Sequence, residues 1–292
     1  MSSTVVRLLP LEPLIDQLFR ALRILGVRSG IAELSGGILS DVSYCVPADG
    51  VGTRSVSYSA TRSTRSAELI LGAATIGSRH GAPFMHSHCV WLTSDGQLQG
   101  GHLWPETRVG HRPPVVVVHA LHDVDLVSAD DPETLMPVFT PHLTKDHLMT
   151  PSRPDDAPRS RSVIARVCPN EDITTAVKSL CASAGIGHAA IRGGIGSLIG
   201  ASFAGGPNRE PVRVEGPGTE VATLVGHLTT DDAGNVDLTI TCTLVDKFGQ
   251  IQAGTLVPGE NPVAVTYELL IHELAPPPLL HISAQSTKEA HA

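Results

Sequence analysis

Apolar positions recur along this chain with two periods, and the switches between them predict its elements. Val5-Val6-Arg7-Leu8-Leu9 is a short apolar run closed by Pro10, the pattern of a strand. Leu14, Leu18, Leu22 and Leu25 then recur near helical spacing, and Gly26 follows where a helix-ending glycine belongs. After it come β-type runs divided by glycines: Glu68 to Ile76, Met85 to Leu92, Gly100 to Leu103 and Val115 to Leu121. The series then starts again. VIARVCP at 163–169 restates TVVRLLP at 4–10, placing Arg166 on Arg7, and Ile173, Val177 and Leu180 predict a second helix ending near Gly185. Farther on, GQIQAGTLVP at 249–258 restates GQLQGGHLWP at 96–105, and ELLIHEL at 268–274 restates VVVVHAL at 115–121, with His272 on His119. The offset changes from 159 to 153, which a few loop indels accommodate. The expectation is two copies of one α+β domain, each a mainly antiparallel sheet with a packed helix. The copies are placed at 1–126 and 161–283. A linker is placed at 127–160, where PSRPDDAPRSRS has linker composition, and a polar tail at 284–292.

Composition narrows the class. A length of 292 residues suits two domains, and 41% hydrophobic residues suffice for packed cores. No run of 18 apolar residues occurs, the N-terminus lacks a signal-peptide pattern, and five scattered cysteines form no CxxC pair. These features predict a cytoplasmic protein with reduced thiols and no membrane partner. A net charge of −8 argues against a nucleic-acid partner, because such proteins gain affinity by neutralising phosphates. Histidine stands out, with 14 residues against only 10 of Phe, Trp and Tyr together.

Three of these histidines form a pattern. His86 and His88 are two apart in a strand-like run, so both imidazoles project from one face. Ser94-Asp95-Gly96 is a turn signal, and the hairpin it closes would bring His102 alongside them. Three neutral imidazoles suit Zn²⁺ and leave a fourth position for water, although Fe, Ni or Cu would also suit them. The repeat supplies an internal control: His86, His88 and His102 fall on Thr239, Thr241 and Thr255, so all three are replaced together. His119 recurs as His272, which favours a structural role for that pair. The chemistry expected is a metal-dependent hydrolase acting through metal-bound hydroxide on a small carboxylated ester or lactone. Glu106 is the candidate catalytic acid or base because the second copy has Gly259 there, and Arg62 and Arg65 are the candidate substrate clamps. The alternative is a non-catalytic metal- and ligand-binding or regulatory module, and a third reading, less favoured by the charge, is DNA binding through a local basic patch. No G-x-S-x-G or Walker A sequence occurs, and Cys89 reads as a buried small residue.

PFMHSHCVWLTSDGQLQGGHLWP resembles the hallmark of the PPC (plants and prokaryotes conserved) domain, and Arg192-Gly193-Gly194-Ile195-Gly196-Ser197 is similar to that family's glycine-rich stretch. The resemblance covers most of both halves and implies a tandem PPC protein. It further implies an α+β domain, a tendency to form homotrimers, and metal ligation by His86, His88 and His102. In plants the domain accompanies AT-hooks. The Arg-Gly-Arg-Pro core of a hook is missing here, so DNA binding is not carried over.

Overall fold

The computed structural model describes residues 1–144 and 161–275. Its sheets repeat the sequence repeat strand for strand. In the first half the order is Ser2–Arg7, Val115–Leu121, Ser29–Ser35, Arg62–Arg79, Ala82–Thr93 and Leu98–Leu103. In the second it is Ser162–Val167, Val263–Glu273, His188–Leu198, Thr219–Thr230, Val236–Val245 and Ile251–Thr255. The register carries both offsets: Ser3 pairs with His119 as Ser162 does with His272, and His88 pairs with His102 as Thr241 does with Thr255. In the first half Ile38–Cys45 and Arg108–Val109 extend the sheet.

Each half carries one helix where the apolar spacing placed it. Leu14–Ile24 buries Leu14, Leu18 and Leu22 completely or nearly so, and Gly26 follows it at φ 69°. Burying one such leucine contributes about 1.5–3 kcal/mol. Ile173–Ala184 is capped by Asp172, whose carboxylate accepts the Thr175 N–H at 2.9 Å, and ends on Gly185 at φ 64°. With only these two helices among the described residues and mostly antiparallel sheets, the molecule is mainly β, where the sequence pattern led to an α+β class with one packed helix on each mainly antiparallel sheet.

The boundaries also differ. Residues expected in the linker form a hairpin, Val124–Asp130 with Pro137–Leu143, and Val127 pairs in parallel with Ser78 of the long strand. Leu126, Val138 and Phe139 are buried, so apolar alternation overrides linker composition here. Residues 145–160, the last part of the second copy and the tail at 284–292 lie outside the described residues. All five cysteines are free, and among the described residues no helix is long and apolar enough to cross a membrane.

Each half has its own core, and the two pack against each other. Val245 and Ile251 of the second repeat pack into the first repeat's apolar cluster. Arg166 pairs with Asp131 at 2.6 Å, Arg192 with Glu33 at 2.9 Å, and the His119 and His272 rings lie 5.3 Å apart. The contact is not reciprocal at the histidines. Glu268 of the second repeat meets His86 of the first, whereas Val115, at Glu268's position in the first repeat, is 54% exposed.

Candidate metal centre

The strand Ala82–Thr93 alternates its side chains, so His86 and His88 leave the same face. The Thr93–Gln97 turn closes the hairpin expected around Asp95-Gly96 and sets His102 directly across from His88. The two glycines before His102 are steric requirements. A Cβ at Gly101 would lie 2.2 Å from the Cys45 carbonyl oxygen, and one at Gly100 would lie 2.8 Å from a Val245 methyl of the other half.

The three rings converge. His86 Nε2 lies 3.2 Å from His88 Nε2, His102 Nδ1 lies 3.3 Å from the same atom, and all three ligand atoms fall within 4.8 Å of one another. Two imidazole nitrogens on one tetrahedral zinc stand roughly 3.3–3.4 Å apart when each is about 2.0–2.1 Å from the ion. Burial and the neighbouring imidazoles hold His88 well below its ordinary range and His102 at about 3. Both are therefore neutral and have lone pairs to offer. The tautomer of His88 is fixed, because Nδ1 lies 3.0 Å from the Val221 carbonyl oxygen, which can only accept. Its proton is on Nδ1 and its Nε2 lone pair faces the other two rings. The donor set fits a borderline divalent metal such as zinc.

The second repeat closes this site. Glu268 Oε2 lies 2.7 Å from His86 Nδ1 and also accepts the Thr75 hydroxyl at 3.3 Å. Glu220 Oε1 lies 3.6 Å from His88 Nε2, and its Oε2 is buried with no protein hydrogen-bond partner among the described residues. Burial pushes the Glu220 carboxyl up to about 8, opposed by a hydrogen bond from the His102 backbone. The histidines open onto a cavity of about 240 Å³. Phe84, Met85, Trp104, Met136 and Val265 supply apolar wall, while Tyr58, Arg79, Glu220 and Thr266 supply polar groups. Trp104 Nε1 and Thr266 Oγ1 are buried there without protein partners among the described residues.

The structure brings the histidine triad together as the spacing implied, but not the other sequence candidates. Glu106 is exposed on the turn after Trp104-Pro105 and does not line the cavity. Arg62 and Arg65 are exposed on the long strand, also outside it, and the cavity's arginine is Arg79, paired with Asp130 at 2.8 Å. The sequence reading missed Glu220 and Glu268 because both arrive by docking of the second repeat. A signal existed for Glu268: it stands in an apolar strand where the first copy has Val115. His119 accepts the structural role expected, buried between the Ser3 hydroxyl at 2.8 Å and Glu33 at 3.1 Å.

Residues 155–275 match the family model of the Plants and Prokaryotes Conserved (PCC) domain. Among solved structures, the chain is similar to a PPC protein of Pyrococcus horikoshii, with 26% identity, 40% of this chain and 80% of that chain covered, and a TM-score of 0.35. It is similar also to a metal-containing protein of Archaeoglobus fulgidus, with 18% identity, 48% and 93% covered, and a TM-score of 0.40. A third is a Ralstonia eutropha protein named as a candidate DNA-binding protein, with 20% identity, 47% and 88% covered, and a TM-score of 0.39. No curated protein matches the sequence.

Proposed function

We propose, for a chain that carries a Plants and Prokaryotes Conserved domain at residues 155–275, a metal-dependent hydrolase that cleaves a small ester or lactone in the cavity between its two repeats. The observation that carries the reading is the convergence of His86, His88 and His102 beside the unpartnered oxygen of Glu220. The three imidazoles would hold the ion, zinc being the first candidate. When bound, the ion supplies Lewis acidity and lowers the pKa of water.

The chain's own groups have separable tasks. Phe84, Met85 and Trp104 exclude bulk water and orient an apolar substrate body. Trp104 Nε1 and the Thr266 hydroxyl can donate to substrate oxygens, since neither has a protein partner among the described residues. Arg79, rather than Arg62 or Arg65, is the cation available to a substrate carboxylate. Glu220 takes the proton of the attacking water and returns it to the leaving oxygen, the role first assigned to Glu106. A homo-oligomer, a trimer by resemblance, and a cytoplasmic location belong to the same proposal.

Assay of the zinc-loaded full chain against a panel of small esters and lactones tests this. Glu220→Gln is expected to lower kcat by about 10²–10⁴-fold with bound metal retained. Full turnover in that variant contradicts the assignment. The deep burial of His88 and His102 favours one other reading, a non-catalytic metal site, which retained metal without turnover across the panel would select. The name of the Ralstonia protein does not carry DNA binding to a chain of net charge −8.

A further inference from the structure

The two repeats carry different parts of one site. The second repeat has Thr239, Thr241 and Thr255 where the first has His86, His88 and His102. The first repeat has Val115 where the second has Glu268, since Arg7 pairs with Val115 as Arg166 does with Glu268. Glu220 has a counterpart in Glu68, by its pairing to Leu92 as Glu220 pairs to Val245. Glu68 lies on the outer surface, bonded to Arg112 at 2.6 Å, and meets no histidine. The contact joins the histidines of one repeat to the carboxyl groups of the other, and it is not reciprocal, since Val115 is 54% exposed.

The pair that spans the contact has a defined chemical consequence. A neutral imidazole holds one proton, so His86 can present an Nε2 lone pair beside His88 only if Nδ1 carries the hydrogen. Nδ1–H needs an acceptor, and Glu268 Oε2 is 2.7 Å away, fixed by the Thr75 hydroxyl and only 2% exposed. Valine in that place offers no acceptor, and the half-buried ring would be free to take its other tautomer or turn away. The same logic is met for His88 by the Val221 carbonyl of the second repeat. Two of the three imidazoles of the first repeat are thus set by acceptors of the second.

We propose that the second repeat is retained as the orienting half of a composite site: Glu268 is the positioning residue that fixes His86 as its Nδ1–H tautomer, and each chain carries a single metal site. The inference rests on the metal-site reading above for its purpose, but its tautomer can be read without metal.

The test uses the metal-free full chain with ¹⁵N-labelled histidine, the His86 ring assigned by its loss in His86→Gln. Two-bond ¹H–¹⁵N correlations are expected to show His86 as the Nδ1–H form in the native chain. Glu268→Val, which installs the first repeat's residue, should give a mixture of tautomers and weaken Zn²⁺ binding about 10–100-fold. Glu268→Gln keeps an oxygen acceptor, so it should keep the tautomer, shift the Nδ1 resonance and lose less affinity than valine. Native His86 found as Nε2–H overturns the proposal. So does an unchanged Nδ1 resonance in Glu268→Gln, which decides the matter even where Glu268→Val does not fold. If the native chain binds no Zn²⁺ but shows the tautomer and its dependence on Glu268, the metal-site reading fails and the positioning role stands.

Discussion

His88 is the residue on which the site turns. It is 1% exposed, holds the Val221 carbonyl through Nδ1, and places Nε2 within 3.3 Å of a nitrogen on each of the other two rings. His88→Ala should abolish metal binding, and it removes the hydrogen bond to the Val221 carbonyl, worth about 0.5–1.5 kcal/mol. Calorimetry alongside metal titration separates the two effects; unchanged metal affinity would remove His88 from the ligand set. The triad was legible in the sequence because strand period and a turn signal act over a few residues. Glu106 shows where such reasoning stops. It was selected for differing between the copies, and it sits on an exposed turn. The same comparison applied to the other copy points at Glu268, whose value depends on a contact between residues 182 apart. Glu220 carries no local signal, since Glu68 occupies its position in the first repeat and does nothing comparable.

At the scale of the element, the helices and the histidine hairpin follow from short-range rules. Leu18 lies at the centre of the buried stripe of Leu14–Ile24 and is fully enclosed. Leu18→Ala should cost about 2–5 kcal/mol in chemical denaturation; a loss below about 1 kcal/mol would mean that the helix is not docked as described. The hairpin over 124–143 was hidden because proline, serine and charge beyond it set the expectation for the whole connection. Its strands are half-buried, with Leu126, Ser128, Val138 and Phe139 inside and most neighbours outside. The fold class shifts toward β for a related reason: each repeat adds strands around one helix, and the short outer strands had no strong period to reveal them.

At the scale of the whole molecule, the seam between repeats is a polar cluster with a definite pH response. Burial pushes Glu33 up, but hydrogen bonds from His119 and Arg192 prevail and hold it at about 2 against an ordinary 4.5. Burial first, then repulsion by His119, Arg192 and the N-terminus, holds His272 at about 4 against an ordinary 6.5, with Glu33 opposing. Both folded values are depressed, so the unfolded chain binds more protons in each window. Stability should therefore fall as pH drops from 6.5 to 4 through His272 and from 4.5 to 2 through Glu33. Tm followed against pH should flatten over the upper window in His272→Asn and over the lower one in Glu33→Gln. Slopes identical to the native chain would show that this seam does not govern acid stability.

The existence of two repeats was visible as constant offsets, but the way they dock was not, because no sequence period records which face of one copy meets the other. That docking makes one site from two incomplete halves. The most direct test is elemental analysis of the full chain purified without chelator, beside His88→Ala. The account predicts one transition-metal ion per chain, absent from the variant. No bound transition metal, or equal content in both proteins, would contradict it.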